Sequence, residues 1–157
     1  MVVRPVVLVD VDGVLNVPGA PGFVDHDVFA GEVPVRLNPV HGVWIGELAR
    51  VFDVVWATGW SHEANRLLAP LLGVGPFPVV EMPAGTFVPE DKVPRVAAYV
   101  GARPVAWVDD QLTPVARRWA ASRRSPTLLV PVDPAVGLTR VMVDELLAWA
   151  RAVSTAN

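Results

Sequence analysis

Apolar segments of strand length alternate along this chain with longer amphipathic segments. Four runs rich in valine, with few polar interruptions, are typical of parallel strands that are covered on both faces. These predicted strands span residues 6–11, 53–58, 104–109 and 127–132, with a weaker one at 77–81. Helical spacing of apolar residues predicts helices at 39–51, 62–72, 93–100, 113–121 and 140–153. The alternation predicts an α/β domain with a mainly parallel central sheet.

Capping residues support the predicted helix starts. Asn38 is followed by Pro39, a cap and then proline at the first helical position. Ser61 and Thr139 are the predicted caps of the second and last helices. Residues 17–35 contain three prolines and three glycines, and we predict a loop or small flap there. Without an internal repeat or a linker, residues 1–157 are interpreted as a single domain.

Composition excludes several classes of protein. A chain of 157 residues with 52% hydrophobic residues is too long and too apolar for a disordered tail. The absence of cysteine excludes disulfides, thiolate zinc sites and cysteine nucleophiles. The longest uncharged stretch, 67–80, contains three prolines, and two aspartates interrupt the N-terminal apolar run before any cleavage site. We therefore expect a cytoplasmic protein without a membrane partner.

The net charge of −3 argues against broad electrostatic binding of long nucleic acid, although it permits a site for one phosphate. Of the 13 cationic residues, only Lys92 is a lysine. Because the other cationic residues are all arginines, we expect position 92 to need a compact ammonium group with three donors, which a planar guanidinium does not replace.

Polar residues follow or end three of the predicted strands. They are Asp10 and Asp12 at the end of the first, Thr58 and Gly59 at the end of the second, and Asp109 and Asp110 at the end of a later one. Because the carboxyl ends of parallel strands meet at one edge of a sheet, we expect these residues to converge there. Lys92 precedes a predicted helix and can point to the same edge.

Carboxylates gathered in this way repel one another and need a compensating cation. Mg²⁺ suits oxygen ligands from Asp10, from Asp109 or Asp110, and from a backbone carbonyl. Alternatively, each carboxylate has only a local role, capping a turn or favouring the start of the next helix. The complete ordered set favours a site over that local interpretation.

Four ordered segments resemble the motifs of the haloacid-dehalogenase-like (HAD) hydrolase superfamily. They are Asp10-Val11-Asp12-Gly13-Val14-Leu15, Thr58-Gly59, Lys92 and Asp109-Asp110. The resemblance covers nearly the whole chain and implies a three-layer Rossmann-like fold. More narrowly, the stretch 56–65, the segment 107–110, and Gly137-Leu138-Thr139 with Trp149 resemble small HAD domains associated with bacterial RNA-repair proteins.

The resemblance implies phosphoryl transfer through an aspartyl-phosphate, with Mg²⁺ as cofactor. Asp10 would be the nucleophile, and Asp12 would be the general acid and base, binding the metal only through its backbone carbonyl. Thr58, with Gly59 beside it, would hold the phosphoryl oxygens, and Lys92 would neutralise Asp10 and the developing charge. The metal ligands implied are Asp10, Asp12, Asp109 and Asp110, with the choice between the last two left open.

Asp12 favours a phosphatase, because an alkoxide leaving group needs an acid whereas the halide released by a dehalogenase does not. Response-regulator receiver domains use similar residues, but their phosphorylated aspartate lies in mid-chain, before the Thr/Ser and Lys. Here the Asp-x-Asp pair comes first, so a receiver domain is excluded on order.

The intervals between these motifs leave room only for a helix and loops, so we expect no large cap domain and an open site. Asn16, Trp60, His62 and Asn65 are predicted to line its rim. For Trp60, stacking on a base and packing under the neighbouring loop are equally compatible with the sequence. Residues such as His62 and Asn65, one turn apart on the helix, are more often solvated or capping residues than ligands.

The remaining tryptophans, Trp44, Trp56, Trp107, Trp119 and Trp149, are predicted to belong to the core. Four arginines form a basic patch that is compatible with a nucleic-acid backbone or simply with a solvated helix face: Arg117, Arg118, Arg123 and Arg124.

The leading hypothesis is a Mg²⁺-dependent phosphatase for phosphomonoesters, including nucleotide or RNA ends. The alternatives are a phosphatase for a small metabolite, and a non-catalytic module that binds phosphorylated ends beside an RNA-repair partner protein. The expected partners are accordingly a phosphorylated small molecule or a nucleic-acid end.

Overall fold

The computed structural model describes residues 3–156, which form a four-stranded parallel sheet with helices. The strands of this sheet are β1 (Val6–Val9), β4 (Asp53–Trp56), β5 (Val105–Asp109) and β6 (Thr127–Pro131), in the order β4-β1-β5-β6. A two-stranded antiparallel hairpin is formed by β2 (Val24–His26) and β3 (Val35–Leu37). The α-helices are α1 (Pro39–Leu48), α2 (Ala69–Leu72), α3 (Lys92–Val100), α4 (Pro114–Ser122) and α5 (Arg140–Thr155).

Alternate residues of the strands belong to two separate hydrophobic clusters. Val7, Val9, Val54 and Trp56 pack in one cluster with residues of α1, α2 and α5. Val6, Leu8, Val55 and Trp107 belong to the other cluster, with residues of α3 and α4. All four residues of β1 are buried, as expected for a central parallel strand with no polar face. Complete burial of each such side chain contributes about 1.5–3 kcal/mol.

The predicted α/β class and the mainly parallel sheet are confirmed, and the element boundaries are close to those predicted. Two predicted caps are also confirmed: Asn38 accepts from the N–H of Val40 at 3.1 Å, and Thr139 from that of Met142 at 3.3 Å. Within residues 3–156, no helix is both long and apolar enough to cross a bilayer.

The predicted helix 62–72 differs from the structure in form. A π-helical segment, Ala64–Leu68, precedes α2, and Ser61 does not cap it because this residue has a φ of +47°. Pro70 has no N–H to donate to the carbonyl four residues earlier, so a regular α-ladder cannot pass through this point. The wider turn rotates the following residues, which leaves Leu71 exposed and buries Leu72.

The weaker predicted strand at 77–81 is reduced to one parallel bridge between Trp56 and Val79. Pro76 and Pro78 flank Phe77 and supply no ladder donors, which prevents a full strand. The loop predicted at 17–35 contains β2 and the first residue of β3, so part of it is a regular hairpin.

The five tryptophans predicted in the core are all at least partly buried. Trp56 and Trp107 are fully buried. Trp44, Trp119 and Trp149 are half-buried and pack against the two hydrophobic clusters.

The sheet positions the polar residues of interest at one edge. Since β1, β4 and β5 are parallel neighbours, the residues at and after their carboxyl ends lie side by side. Asp10 follows β1, Thr58 comes shortly after β4, and Asp109 ends β5.

A close approach between α1 and α2 limits what residue 42 can be. A Cβ at Gly42 would lie 2.0 Å from the carbonyl oxygen of Leu72.

We expect Gly42→Ala to destabilise the protein by about 1–3 kcal/mol, since the two helices must move apart. Gly46→Ala is the matched control on the same helix, because a Cβ there meets nothing within 4 Å. The control should be neutral or stabilising by up to about 1 kcal/mol. Urea unfolding of both variants measures the difference, and equal free energies of unfolding would contradict the close approach.

Candidate active site

A cavity of about 550 Å³ lies at the carboxyl edge of the sheet. Most of the residues predicted from the sequence to carry chemistry line it. They are Asp10, Asp12, Asn16, Thr58, Gly59, Lys92 and Asp110. The convergence expected from parallel strands is therefore present in the tertiary structure.

Lys92 is the central cation of this cavity. It is the first residue of α3, and its side chain is only 9% exposed. Its ammonium donates to the Asp109 carboxylate at 2.7 Å and to the Ala57 carbonyl at 3.1 Å, and lies 3.3 Å from Asp10 Oδ1. Burial opposes the charge of Lys92, but Asp10 and Asp109 outweigh that effect and raise its pKa above the ordinary value. Lysine therefore stays protonated, with two N–H bonds directed to Asp109 and Ala57 and its charge beside Asp10.

Asp109 and Asp110 have different environments although they are adjacent in sequence. Asp109 is 1% exposed, and its two oxygens accept from Lys92 and from the N–H of Gln111 at 2.8 Å. Asp110 is half-buried and lines the cavity. The geometry thus makes Asp109 the anchor of Lys92 and leaves Asp110 facing the open space.

Asp10, Asp109 and Asp110 together form a group that can hold a metal ion. Each presents a carboxylate oxygen, and these atoms all lie within 4.8 Å of one another. Burial raises the pKa of Asp10 well above its usual value, with Lys92 opposing and the charges of Asp109 and Asp110 adding to the rise. Burial likewise raises the pKa of Asp110, against the hydrogen bond with Asp10, which lowers it. One lysine therefore does not compensate the negative charge of this group.

Gly13 makes the approach of Asp110 possible. Its φ of +78° lies in the left-handed region, and a Cβ there would be 2.4 Å from Asp110 Oδ2. The turn itself is closed by Val11, whose carbonyl accepts from the N–H groups of Val14, Leu15 and Asn16. Both the turn and the neighbouring carboxylate therefore favour glycine at this position.

Asp12 lines the same cavity but does not belong to the buried acidic group. Its carboxylate accepts from Asn16 Nδ2 at 2.9 Å and from Trp60 Nε1, which is 3.2 Å from both oxygens. The side chain is solvent-exposed, in contrast to Asp10, two residues earlier. One carboxylate of the Asp-x-Asp pair is thus fixed in the interior and the other is held at the cavity mouth.

Thr58 and Gly59 form the turn after β4. Thr58 is buried, and its Oγ1 accepts from the N–H of Trp60 at 3.2 Å. Because that bond uses an oxygen lone pair, the hydroxyl proton stays available for a ligand oxygen in the cavity. Gly59 is exposed and lies against Phe87, an aromatic lining residue that the sequence reasoning did not identify.

The four predicted rim residues have different surroundings. Asn16 lines the cavity, whereas Trp60 lines a neighbouring depression of about 370 Å³ together with Phe29, Asp12, Gly59 and Glu63. The Trp60 and Phe29 rings stack with centroids 5.7 Å apart, so Trp60 does pack against the neighbouring loop. No polar or periodic signal in the sequence marks Phe29, because it comes from the long insertion between β1 and β3.

His62 and Asn65 lie outside the lining of the main cavity. His62 pairs with Glu81 at 2.8 Å, and both side chains are about 70% exposed. Asn65 is engaged inside the protein: its Oδ1 accepts from Trp56 Nε1 and from the N–H of Phe77, and its amide donates to the Phe77 carbonyl. Asn65 therefore holds the 77–80 segment against β4.

The four arginines do not form one surface beside the cavity. Arg123 lies over Trp119, 5.2 Å from the ring centroid, and donates to the Gly101 and Arg103 carbonyls and to Thr127. Arg124 lies near Pro104 and Pro126, before β5 and β6, at the edge of the sheet opposite to the cavity. Arg117 and Arg118 are exposed on α4. Arg123 thus has a structural role, and Arg124 lies at the opposite edge of the sheet from the cavity.

In comparisons with known proteins, neither a family model nor a curated protein matches this sequence. The chemistry assigned to the cavity consequently rests on its own residues.

The buried cation predicts a measurable coupling between Lys92 and Asp109. Lys92→Met should lower the free energy of unfolding by about 3–5 kcal/mol, because it leaves buried carboxylates without a partner. Adding Asp109→Asn should cost less in this variant than in the wild type, with a coupling of about 0.5–3 kcal/mol. Urea unfolding of the two single variants and the double variant at pH 7 measures that coupling. Additive effects would mean that the ion pair contributes nothing to stability.

Proposed function

We propose that this protein is a Mg²⁺-dependent phosphatase that hydrolyses phosphomonoesters through an aspartyl-phosphate on Asp10. The observation that carries the proposal is the position of Lys92 between Asp10 and Asp109, with Asp110, Thr58 and Asp12 around the same cavity. This arrangement agrees in order and in chemistry with the HAD-like resemblance. The packing of sheet residues in two clusters, with different helices in each, supports the three-layer Rossmann-like arrangement that the resemblance implies.

The charges around the cavity favour a divalent cation. Asp10, Asp12 and Asp110 line it, against Lys92 as the single cation among the lining residues that the structure describes. A phosphate dianion would be repelled by this balance. The pKa values of Asp10 and Asp110 are raised chiefly by burial, and the charges of neighbouring carboxylates add to the rise. Hard carboxylate oxygens are the ligands that Mg²⁺ prefers. The residues present therefore fit the ion.

Asp10 and Asp110 would hold Mg²⁺ directly, together with the backbone carbonyl of Asp12. Asp109 would act through Lys92, because both of its oxygens are already engaged by protein donors. When bound, the ion neutralises phosphate oxygens and orients the phosphoryl group towards the nucleophile.

In the first step, an Asp10 oxygen attacks phosphorus and the bond from phosphorus to the ester oxygen breaks. The ester oxygen keeps that electron pair and takes the proton of Asp12, so the alcohol leaves neutral. Lys92 lies where it stabilises the ionised Asp10 before attack and the phosphoryl oxygens during it. The Thr58 hydroxyl donates to a phosphoryl oxygen.

In the second step, a water molecule attacks phosphorus and gives its proton to Asp12. The bond from phosphorus to Asp10 breaks, which returns Asp10 as a carboxylate and releases inorganic phosphate. Asp12 is thereby protonated again for the next cycle. An exposed carboxylate at the cavity mouth can reach both the leaving group and the incoming water, which a buried one cannot.

The number of cationic residues that line the cavity indicates how many phosphates of a substrate it can bind. A polynucleotide presents successive phosphates, and their recognition requires several cationic contacts. Among the described residues, the lining of the cavity offers only Lys92, and Arg123 and Arg124 lie elsewhere. This favours the alternative of a small phosphomonoester with one phosphate over an RNA end. The insertion after β1 supplies only the β2–β3 hairpin within the described chain, so a small substrate would be covered by this flap and not by a cap domain.

Release of phosphate from a substrate panel tests the activity. The panel contains p-nitrophenyl phosphate, nucleotides, sugar phosphates and oligonucleotides phosphorylated at the 5′ or 3′ end, each with Mg²⁺ and with EDTA. We expect turnover that requires Mg²⁺, and Asp10→Asn should reduce it by about 10³-fold or more, as loss of a nucleophile does.

Asp144→Asn on the exposed face of α5 is the matched control, since it makes the same chemical change outside the cavity. Circular dichroism should show both variants folded. Substantial turnover by Asp10→Asn would exclude Asp10 as nucleophile. No phosphate release from any substrate by the wild type would favour the non-catalytic binding module.

Gly13 offers a test of the metal ligand without altering a carboxylate. In Gly13→Ala the new methyl group displaces Asp110, so we expect an apparent Mg²⁺ affinity about 10–100-fold weaker, as when groups that orient metal ligands are disturbed. The rise of Tm with Mg²⁺ concentration measures that affinity. Gly19→Ala is the control, because Gly19 has nearly the same φ, +77°, but a Cβ there meets nothing within 4 Å. Equal Mg²⁺ responses in the two variants would remove Asp110 from the ligand set.

A further inference from the structure

The carboxylate of Asp12 is held by two neutral donors although it is exposed to solvent. Asn16 Nδ2 donates to Oδ1 at 2.9 Å, and the indole N–H of Trp60 is shared between both oxygens at 3.2 Å. A donor shared by both oxygens fixes the plane of the carboxylate as well as its position. Without such donors, an exposed aspartate turns freely about its side-chain bonds in water.

Both donors are themselves held by the β2–β3 hairpin and its loop. The N–H of Arg36, in β3, donates to Asn16 Oδ1 at 2.8 Å, and Asn16 also forms a bridge to Leu37. Phe29, in the loop between β2 and β3, stacks on the Trp60 ring with an interplanar angle of 29°. The hairpin is thus connected to Asp12 through two independent contacts.

The opposite side of Trp60 is fixed by the turn after β4. Its backbone N–H donates to Thr58 Oγ1, and the next residue, Ser61, has the left-handed φ of +47°. Residues other than glycine rarely adopt that region, so the fold sustains strain at the turn that carries the indole. The backbone of Trp60 is consequently held by Thr58, and the face of its ring is held by Phe29.

We propose that Trp60 and Asn16 are positioning residues, which aim the carboxyl group of Asp12 at the leaving oxygen, and that the hairpin sets their geometry through Phe29 and Arg36. This inference rests on the proposed function of Asp12 as general acid. It differs from the rim prediction, in which Asn16 and Trp60 contact the substrate. It also gives the insertion after β1 a role in the rate of the chemical step.

The dependence of the rate on the leaving group separates positioning from a structural role. An activated phenolate leaves without a proton, whereas a poor leaving group needs general-acid help, which is worth about 10²–10⁴-fold. Misplacing Asp12 is therefore expected to slow the hydrolysis of substrates with poor leaving groups more than that of substrates with good ones. Damage to the fold, to Mg²⁺ binding or to phosphate binding slows all substrates alike.

Trp60→Phe tests the proposal, because phenylalanine keeps a ring against Phe29 but lacks the indole N–H. The substrates are substituted phenyl phosphates of similar size, from 2,4-dinitrophenyl to 4-methoxyphenyl phosphate, with kcat/KM measured at saturating Mg²⁺. We expect kcat/KM to fall by about tenfold for the poorest leaving group, part of the general-acid contribution, and by less than about twofold for the best. The plot of log kcat/KM against leaving-group pKa should become steeper.

Two further variants complete the test. Phe29→Leu, which removes the stacked ring of the hairpin loop, should steepen the same plot to a smaller extent. Trp149→Phe is the matched control, because Trp149 also stacks on a phenylalanine, Phe52, with centroids 6.2 Å apart, and neither residue lines the cavity or the depression beside it. It should leave the slope unchanged.

Equal losses across the series in Trp60→Phe, or no loss, would overturn the positioning role while leaving the proposed function intact. An inactive wild type across the whole series would overturn the proposed function, and the positioning role with it.

Discussion

The architecture of the candidate site depends on one buried ammonium group. Lys92 contacts Asp10 after β1, the Ala57 carbonyl after β4 and Asp109 at the end of β5, so it joins the carboxyl ends of three adjacent strands. A buried charge is tolerated only where its partners satisfy it, and here the ammonium donates to Asp109 and to the Ala57 carbonyl and forms an ion pair with Asp10. The position of this ammonium group therefore links the start of α3 to the carboxylates of Asp10 and Asp109.

The carboxylates around that group are divided by environment. Asp109 is enclosed and saturated with donors, Asp110 faces the cavity beside Gly13, and Asp12 stays exposed at the mouth. This division suits the proposed mechanism, in which a metal ligand benefits from a fixed place in the interior and a proton carrier from access to the leaving group and water. Asp10 and Asp12, two positions apart in the chain, thus differ in environment: Asp10 is buried and Asp12 is exposed.

Uninterrupted apolar runs predicted the parallel sheet well, because strands buried on both faces need apolar residues on both. The prediction failed where local bonding overrides that pattern. At Pro70 a missing N–H widens the helix and exposes Leu71, and around Phe77 two prolines reduce a strand to one bridge. The convergence of Asp10, Thr58 and Asp110 could be predicted because it follows from strand direction, whereas Lys92 reaches the same edge from the start of α3.

The sequence by itself determined which residues reach the carboxyl edge of the sheet, since spacing and strand polarity place them there. Only the tertiary structure decided what each side chain does at that edge. Asn65 is used inside the fold, Arg123 binds carbonyl groups, and Phe29 comes from the hairpin to stack on Trp60. These contacts join residues far apart in the chain. Their geometry depends on packing between elements, which no local pattern of residues encodes.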